Sequence, residues 1–253
     1  MKCVAFGPEN ADVVMLLHGG GLSWWNFRAA AEVLSDRYRV VLPILDGHAG
    51  SDADFTTIED NAARILDYID TEYGGSVLAI GGLSLGAQIL LAILAKRPDV
   101  CRYAVVESAS VIPSKLTERM IGPAFSASYG LIRQKWFAKM QFRYLRIPED
   151  LFDEYYRDTC RITKESMIAF LRANTAFEAN PGLANCRADM RIVVGEKEQR
   201  KMLRSAELLH RMLPESRLEI KKGLHHGEYS LNHPEQYVQE FLNKPDASHH
   251  EEA

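Results

Sequence analysis

The pentapeptide Gly82-Leu83-Ser84-Leu85-Gly86 sets one serine between two glycines, at the end of the apolar run "SVLAIGG" (76–82) and ahead of a helical pattern over 85–96. A G-x-S-x-G element between a buried strand and a helix suits a hydroxyl nucleophile. The tight turn holds the serine at positive φ, and side chains two positions away on either side would collide with the strand and helix. The following helix directs free N–H groups and its positive dipole end at the same point, which favours developing negative charge. The plainer reading makes Ser84 a helix N-cap with incidental glycines.

A serine hydroxyl is a weak nucleophile until a base takes its proton. His18 lies in "HGGG", His48 in "LDGHAGS", His210 within a helical pattern, and His225 and His226 in "KKGLHHGEYS". A base for Ser84 must come from a loop at the carboxyl end of a strand, on the same sheet edge, and His225 and His226 meet that condition. The imidazole needs a carboxylate to hold its tautomer. Glu196 and Glu198, in "VVGEKEQ", follow the preceding strand, so serine, acid and histidine come in that order along the chain.

Short apolar runs supply the elements that must position these groups. "KCVAF" (2–6), "VVMLLHG" (13–19), "YRVVLPIL" (38–45), "SVLAIGG" and "CRYAVVES" (101–108) read as strands, alternating with helices over 23–36, 56–74 and 85–96. Ser23 is available to cap the first helix. The second starts on a threonine cap, carries Ile58, Ala62, Ile65, Leu66 and Ile69 at helical spacing, and stops at Gly74 and Gly75. Strict alternation predicts an α/β fold with a mostly parallel sheet flanked by helices. Residues 113–185 read as helices only, and alternation resumes with 190–196, 201–213, 217–223 and 234–243. The predicted layout is one sheet domain, 1–112 with 186–244, carrying an all-helical insertion (113–185) after its sixth strand and ending in a solvated tail (245–253).

With 253 residues, 47% hydrophobic and 25% charged, the chain can bury one large core and is not a disordered polymer. A net charge of −4 gives no global drive toward nucleic acid. Cys3, Cys101, Cys160 and Cys186 form no CxxC pair, so neither a zinc site nor a disulfide framework is expected, and reduced thiols of a cytoplasmic protein are. The N-terminus lacks a signal-peptide pattern, and no apolar run approaches the ~20 residues of a membrane span. The expectation is a soluble protein without stable membrane insertion.

Five marks in order resemble the α/β-hydrolase fold family over nearly the whole chain: "LLHGGG" (16–21), "LDGHAGS" (45–51), "GLSLG" (82–86), an acid after "IVVG", and "GLHHG" (223–227). The resemblance implies Ser84 as nucleophile. The family's G-x-x-H turn selects His226 over His225. Its usual acid position falls on Glu198, with a glutamate where aspartate is common; Glu196 is the near alternative, and Glu107, at the end of "AVVES", stands where some members carry the acid. The "HGGG" segment looks like an oxyanion loop, with the backbone N–H groups of Gly20 and Leu85 as donors. His18 and His48 are implied to be structural.

An insertion of this kind is a lid in the family, and this one is rich in aromatic residues. Gly21, Trp24 and Trp136 are the expected substrate contacts. Lys135, Lys139 and Arg143 recur every four residues, as a solvated face does; an anionic substrate is the sharper reading. The resemblance implies a cofactor-independent serine hydrolase acting on a small or medium carboxylic ester. Thioester or lactone cleavage is a close variant, and a slow or non-catalytic ligand-binding receptor is the rival from another class.

Overall fold

The computed structural model describes residues 1–242; the expected tail, 245–253, lies outside the described residues. Seven strands form one sheet in the order β1-β3-β2-β4-β5-β6-β7, where β1 is Cys3–Phe6, β2 Val13–Leu17, β3 Arg39–Pro43, β4 Val77–Leu83, β5 Cys101–Glu107, β6 Asp189–Gly195 and β7 Arg217–Lys221. Only β1 runs antiparallel, against β3; every other pairing is parallel. This is the α/β architecture that the alternation predicts.

Strand side chains point alternately to the two faces, and the core divides accordingly. Met15 and Leu17 of β2, Ile80 of β4 and Val106 of β5 pack on one face with Ile65, Ile69, Leu90 and Leu209. Those partners come from helices α2 (Ile58–Tyr73), α3 (Leu85–Lys96) and α8 (Arg200–Met212). Val14 and Leu16, with Ala79 and Val105, pack on the other face against Leu34 of α1 (Arg28–Leu34) and Tyr237, Val238 and Phe241 of α10 (Pro234–Leu242). Each fully buried Leu or Ile contributes about 2 kcal/mol by leaving water, so both faces must be covered before the strand ends are held still.

Local signals end the helices as the sequence predicts. Thr57 Oγ1 accepts the Asp60 N–H at the start of α2, and Gly74 closes it at φ 66°. The segment 23–36 differs from the expected single helix. A 3₁₀ turn over Trp24–Phe27 precedes α1, and the Ser23 hydroxyl caps nothing. The tighter turn buries Trp25 and Asn26, whose side chains bond Asp158 and the Gly19 N–H across the fold.

Between β5 and β6 come α4 (Lys115–Ser128), α5 (Lys135–Tyr144), α6 (Phe152–Thr159) and α7 (Lys164–Ala176). The segment follows the fifth strand, one fewer than the layout counted, because only five strand segments precede it. It is tied to the sheet domain by long-range polar pairs. Trp25 Nε1 donates to Asp158 Oδ2 (2.9 Å), Arg28 meets Glu154 (2.8 Å), and Gln88 Nε2 donates to the Asn174 carbonyl (3.0 Å) while its Oε1 accepts from Asn174 Nδ2 (2.9 Å). No helix among the described residues is long and apolar enough to cross a membrane.

Candidate active site

Ser84 stands between β4 and α3 at φ 53°, ψ −110°, a backbone conformation that a non-glycine residue rarely adopts. The flanking glycines are steric necessities. A Cβ on Gly82 would lie 2.6 Å from the Gly86 carbonyl, and one on Gly86 would overlap the Leu17 carbonyl of β2. The turn is also pinned sideways, since the Ser84 N–H donates to the Glu107 carbonyl at 2.9 Å. Three parallel strands thus fix where the hydroxyl points.

The carboxyl ends of β6 and β7 are laced together. The Glu196 N–H donates to the Lys221 carbonyl (3.0 Å) and the Lys197 N–H to the Leu224 carbonyl (2.9 Å). Gly195 sits so close to this second loop that a Cβ there would overlap Leu224. The lacing brings His226 to Ser84, with Nε2 3.1 Å from Oγ, and to Glu198, with Nδ1 2.7 Å from Oε2. Glu198 Oε1 accepts from Ser108 Oγ (2.6 Å) and from the Gly195 N–H (2.8 Å), and the carboxylate is fully buried. Glu196 faces outward, where Oε2 accepts the Gly223 N–H at 2.8 Å. The His225 N–H is held by Glu228 Oε2 (2.8 Å) in the short helix α9 (Glu228–Asn232), and it is the adjacent imidazole, His226, that reaches Ser84.

The charges in this chain reinforce one another. Burial works against the ionised form of Glu198, but the hydrogen bond and charge of His226, with the Ser108 and Gly195 donors, outweigh it and hold the carboxyl below its usual range. Burial likewise disfavours the His226 imidazolium, and the Glu198 hydrogen bond, the Glu198 charge and the Glu107 charge together raise it above an ordinary histidine. Glu107 behaves oppositely. Burial, reinforced by the Glu198 charge, pushes it up to about 7 despite hydrogen bonds from Ser230. Its Oε1 accepts the Ser230 N–H at 3.2 Å, and among the described residues its Oε2 has no hydrogen-bond partner.

Two neutral imidazoles brace the "HGGG" loop. His18 Nε2 accepts the Leu45 N–H (3.1 Å) and its Nδ1 bonds the Gly19 carbonyl (2.9 Å). His48 Nε2 accepts the Gly21 N–H (3.0 Å), and its Nδ1 bonds the Asp46 carbonyl (3.0 Å). Burial depresses both, His48 to about 4 and His18 well below the ordinary value. With the Gly19 N–H donating to Asn26 Oδ1 (3.0 Å) and the Gly21 N–H to His48, the intervening Gly20 is the loop's amide without a hydrogen-bond partner among the described residues. A Cβ on Gly20 would stand 3.5 Å from that of Leu85, whose own N–H opens α3. Two amides at the mouth of one helix can bind an oxygen that is gaining charge.

A cavity of about 70 Å³ beside Ser84 and His226 is lined by Gly20, Leu22, Leu83, Leu145, Ile147 and Leu231 among others. The expected contacts Gly21, Trp24 and Trp136 do not line it. Gly21 is turned to His48. Trp24 packs on Phe6 (6.3 Å between ring centroids) under the Arg28 guanidinium, and Trp136 stands 63% exposed against Phe137. Leu145 and Ile147, on the chain just after α5, take the place expected of the tryptophans. Sequence reasoning also missed Ser108, although the strand-end rule that singles out Glu107 points one residue further on to it.

Among the described residues, no group of three or more His, Cys, Asp or Glu side chains could hold a metal ion.

A profile of the alpha/beta hydrolase family matches residues 14–240. The chain is similar in structure to the enol-lactonase from Burkholderia xenovorans, with TM-score 0.81, 17% identity and 96% of each chain covered. An esterase from Exiguobacterium antarcticum matches with TM-score 0.79 and 19% identity, over 95% of this chain and 93% of that one. In sequence, 45 residues (18% of this chain) are 49% identical to the magnesium-chelatase 30 kDa subunit of Rhodobacter capsulatus, a match spanning 16% of that protein's length. With its profile match running through nearly the whole described fold, the chain belongs to the alpha/beta hydrolase family.

Proposed function

We propose that this protein is a serine hydrolase that cleaves a carboxylic ester of short acyl chain, using Ser84, His226 and Glu198. Ser84 Oγ attacks the ester carbonyl carbon while His226 Nε2 takes the hydroxyl proton. Glu198 holds Nδ1–H and stabilises the imidazolium, and the carbonyl oxygen, now negative, lies against the N–H groups of Gly20 and Leu85. Collapse breaks the bond to the alcohol, which leaves with the proton from His226. Water then attacks the acyl-enzyme, giving its proton to the same nitrogen, and the acid departs as Ser84 regains its hydrogen. Leu145 and Ile147 make the helical segment one wall of the acyl site, and the 70 Å³ volume favours a short acyl group.

The observation that carries this reading is the unbroken run of contacts from Ser84 Oγ through both nitrogens of His226 to a buried, fully engaged Glu198. The experiment is hydrolysis of p-nitrophenyl acetate, followed by treatment with a fluorophosphonate. The expected result is nitrophenol release that stops as one phosphonyl group per chain is added, with the adduct on the peptide carrying Ser84. An adduct elsewhere, or full activity in the labelled protein, refutes the assignment.

A further inference from the structure

A second cavity, of about 410 Å³, is also lined by His226. It shares Leu145 and His226 with the small cavity but does not include Ser84 or Gly20. Under the proposed function the acyl group stays bonded to Ser84 with its oxygen at Gly20, so the small cavity holds the acyl side. The leaving oxygen must be protonated by His226, and the larger cavity is therefore where the alcohol side lies.

That larger cavity is lined by three cations, Arg143, Arg146 and Lys197. None of the three takes part in an ion pair among the described residues. Its acidic lining residue, Glu198, offers them nothing, because both of its oxygens are already engaged by His226, Ser108 and Gly195. On α5 the other two basic residues are spent differently: Lys135 and Lys139 stand over the Phe152 ring at 5.9 and 5.7 Å. Arg146 holds a left-handed backbone, φ 54°, rare for a side chain of its size, and its carbonyl is fastened to Asn232 Nδ2 at 3.2 Å. The Lys197 backbone is fixed by its bond to Leu224. Uncompensated positive charge gathered at the rim of a reaction centre favours a negative ligand there, in binding and in approach.

We propose that the alcohol side of the substrate carries an anion, and that Arg143, Arg146 and Lys197 select it. The proposal rests on the hydrolase reading for the direction of the substrate, and its test separates the two. The probes are 4-acetoxybenzoate and its uncharged methyl ester, which share the acetyl group. The wild type is compared with the Arg143→Gln, Lys197→Gln double variant, in which both changes are at exposed positions and Arg146 keeps its bend. The expected result is a kcat/KM for 4-acetoxybenzoate about tenfold lower in the double variant, from two lost solvent-exposed ion pairs, with the methyl ester unchanged. Added salt should erode the same preference in the wild type. Equal losses on both esters, or none, overturn the proposal. So does a selective loss on phenyl hydrogen succinate, which carries its charge on the acyl side.

A binding measurement keeps the test independent of turnover. In a Ser84→Ala background, calorimetric titration with 4-acetoxybenzoate should show affinity about tenfold weaker once Arg143 and Lys197 are replaced. Equal affinities, or no binding in either protein, overturn the anion site. Charge-dependent binding without hydrolysis of either ester by the wild type would sustain the site while rejecting the hydrolase reading.

Discussion

Replacing Ser84 with alanine is expected to lower kcat/KM for p-nitrophenyl acetate roughly ten-thousandfold or more, to a rate that only the oxyanion donors and binding sustain. The size follows from the covalent route. Without Oγ no acyl-enzyme forms, and His226 can do no more than activate a water placed by chance. His226→Ala should fall to a similar level, because the hydroxyl loses the imidazole that stands 3.1 Å away. The double variant should be no worse than either single one, since the two groups act as a unit. Steady-state rates and the amplitude of the acylation burst check this. Rates that multiply in the double variant, or a burst that survives Ser84→Ala, would place the chemistry elsewhere.

The next largest effect separates two buried carboxylates. Glu198→Gln should cost roughly a thousandfold in kcat, because an amide at Oε2 cannot both hold Nδ1–H and stabilise the imidazolium. Glu107→Gln should leave kcat within about threefold, since its second oxygen has no hydrogen-bond partner among the described residues and the site it fills suits a neutral group. Its mark is on the pH profile. His226 must be unprotonated to act, so activity rises with pH through a value that lies above an ordinary histidine's. The Glu107 charge helps raise that value, so Glu107→Gln should move the acid limb to lower pH. Stability moves as well. A carboxyl raised to about 7 in the fold contributes stability below its unfolded value, near 4.5, and loses it as pH rises through 7. Glu107→Gln should therefore gain in thermal midpoint at pH 8 relative to pH 5, and a gain of equal size at both would reject the titration.

The parts of this site that obey local rules were readable from the chain. A serine between two glycines, after one strand and before one helix, leaves the backbone a single sterically open path. His226 and Glu198 follow strands of the same parallel sheet, so topology alone sends them to one edge. The choice between Glu198 and Glu196 was less legible. It depends on how the loops after β6 and β7 lace together, which directs one carboxylate inward to Ser108 and the other outward to Gly223. The lining residues were the least legible. Trp24 sits near the loop in sequence but is drawn off by Phe6 and Arg28, and Trp136 stands exposed on α5, while Leu145 and Ile147 arrive through helices seated by Trp25–Asp158 and Gln88–Asn174. Pairs so far apart leave no periodic trace. A left-handed arginine at 146 contradicts its own propensity, and the five residues of α9 are too few to show a helical period.

The bracing of the glycine loop by two uncharged imidazoles makes mild acid injurious in two distinct ways. Under the proposed function, protonating His226 silences the base at once and reversibly. His48, whose acceptor nitrogen carries the Gly21 amide, resists protonation down to about 4, whereas in the unfolded chain it charges near 6.5. Between those values the fold forfeits about 3 kcal/mol, and His18 draws in the same direction. Protein brought to about pH 4 and returned promptly to neutrality should regain part of its activity immediately and the remainder only as fast as the loop reassembles. Single-phase recovery would mean that the imidazoles beneath the glycines have no part in the acid lability.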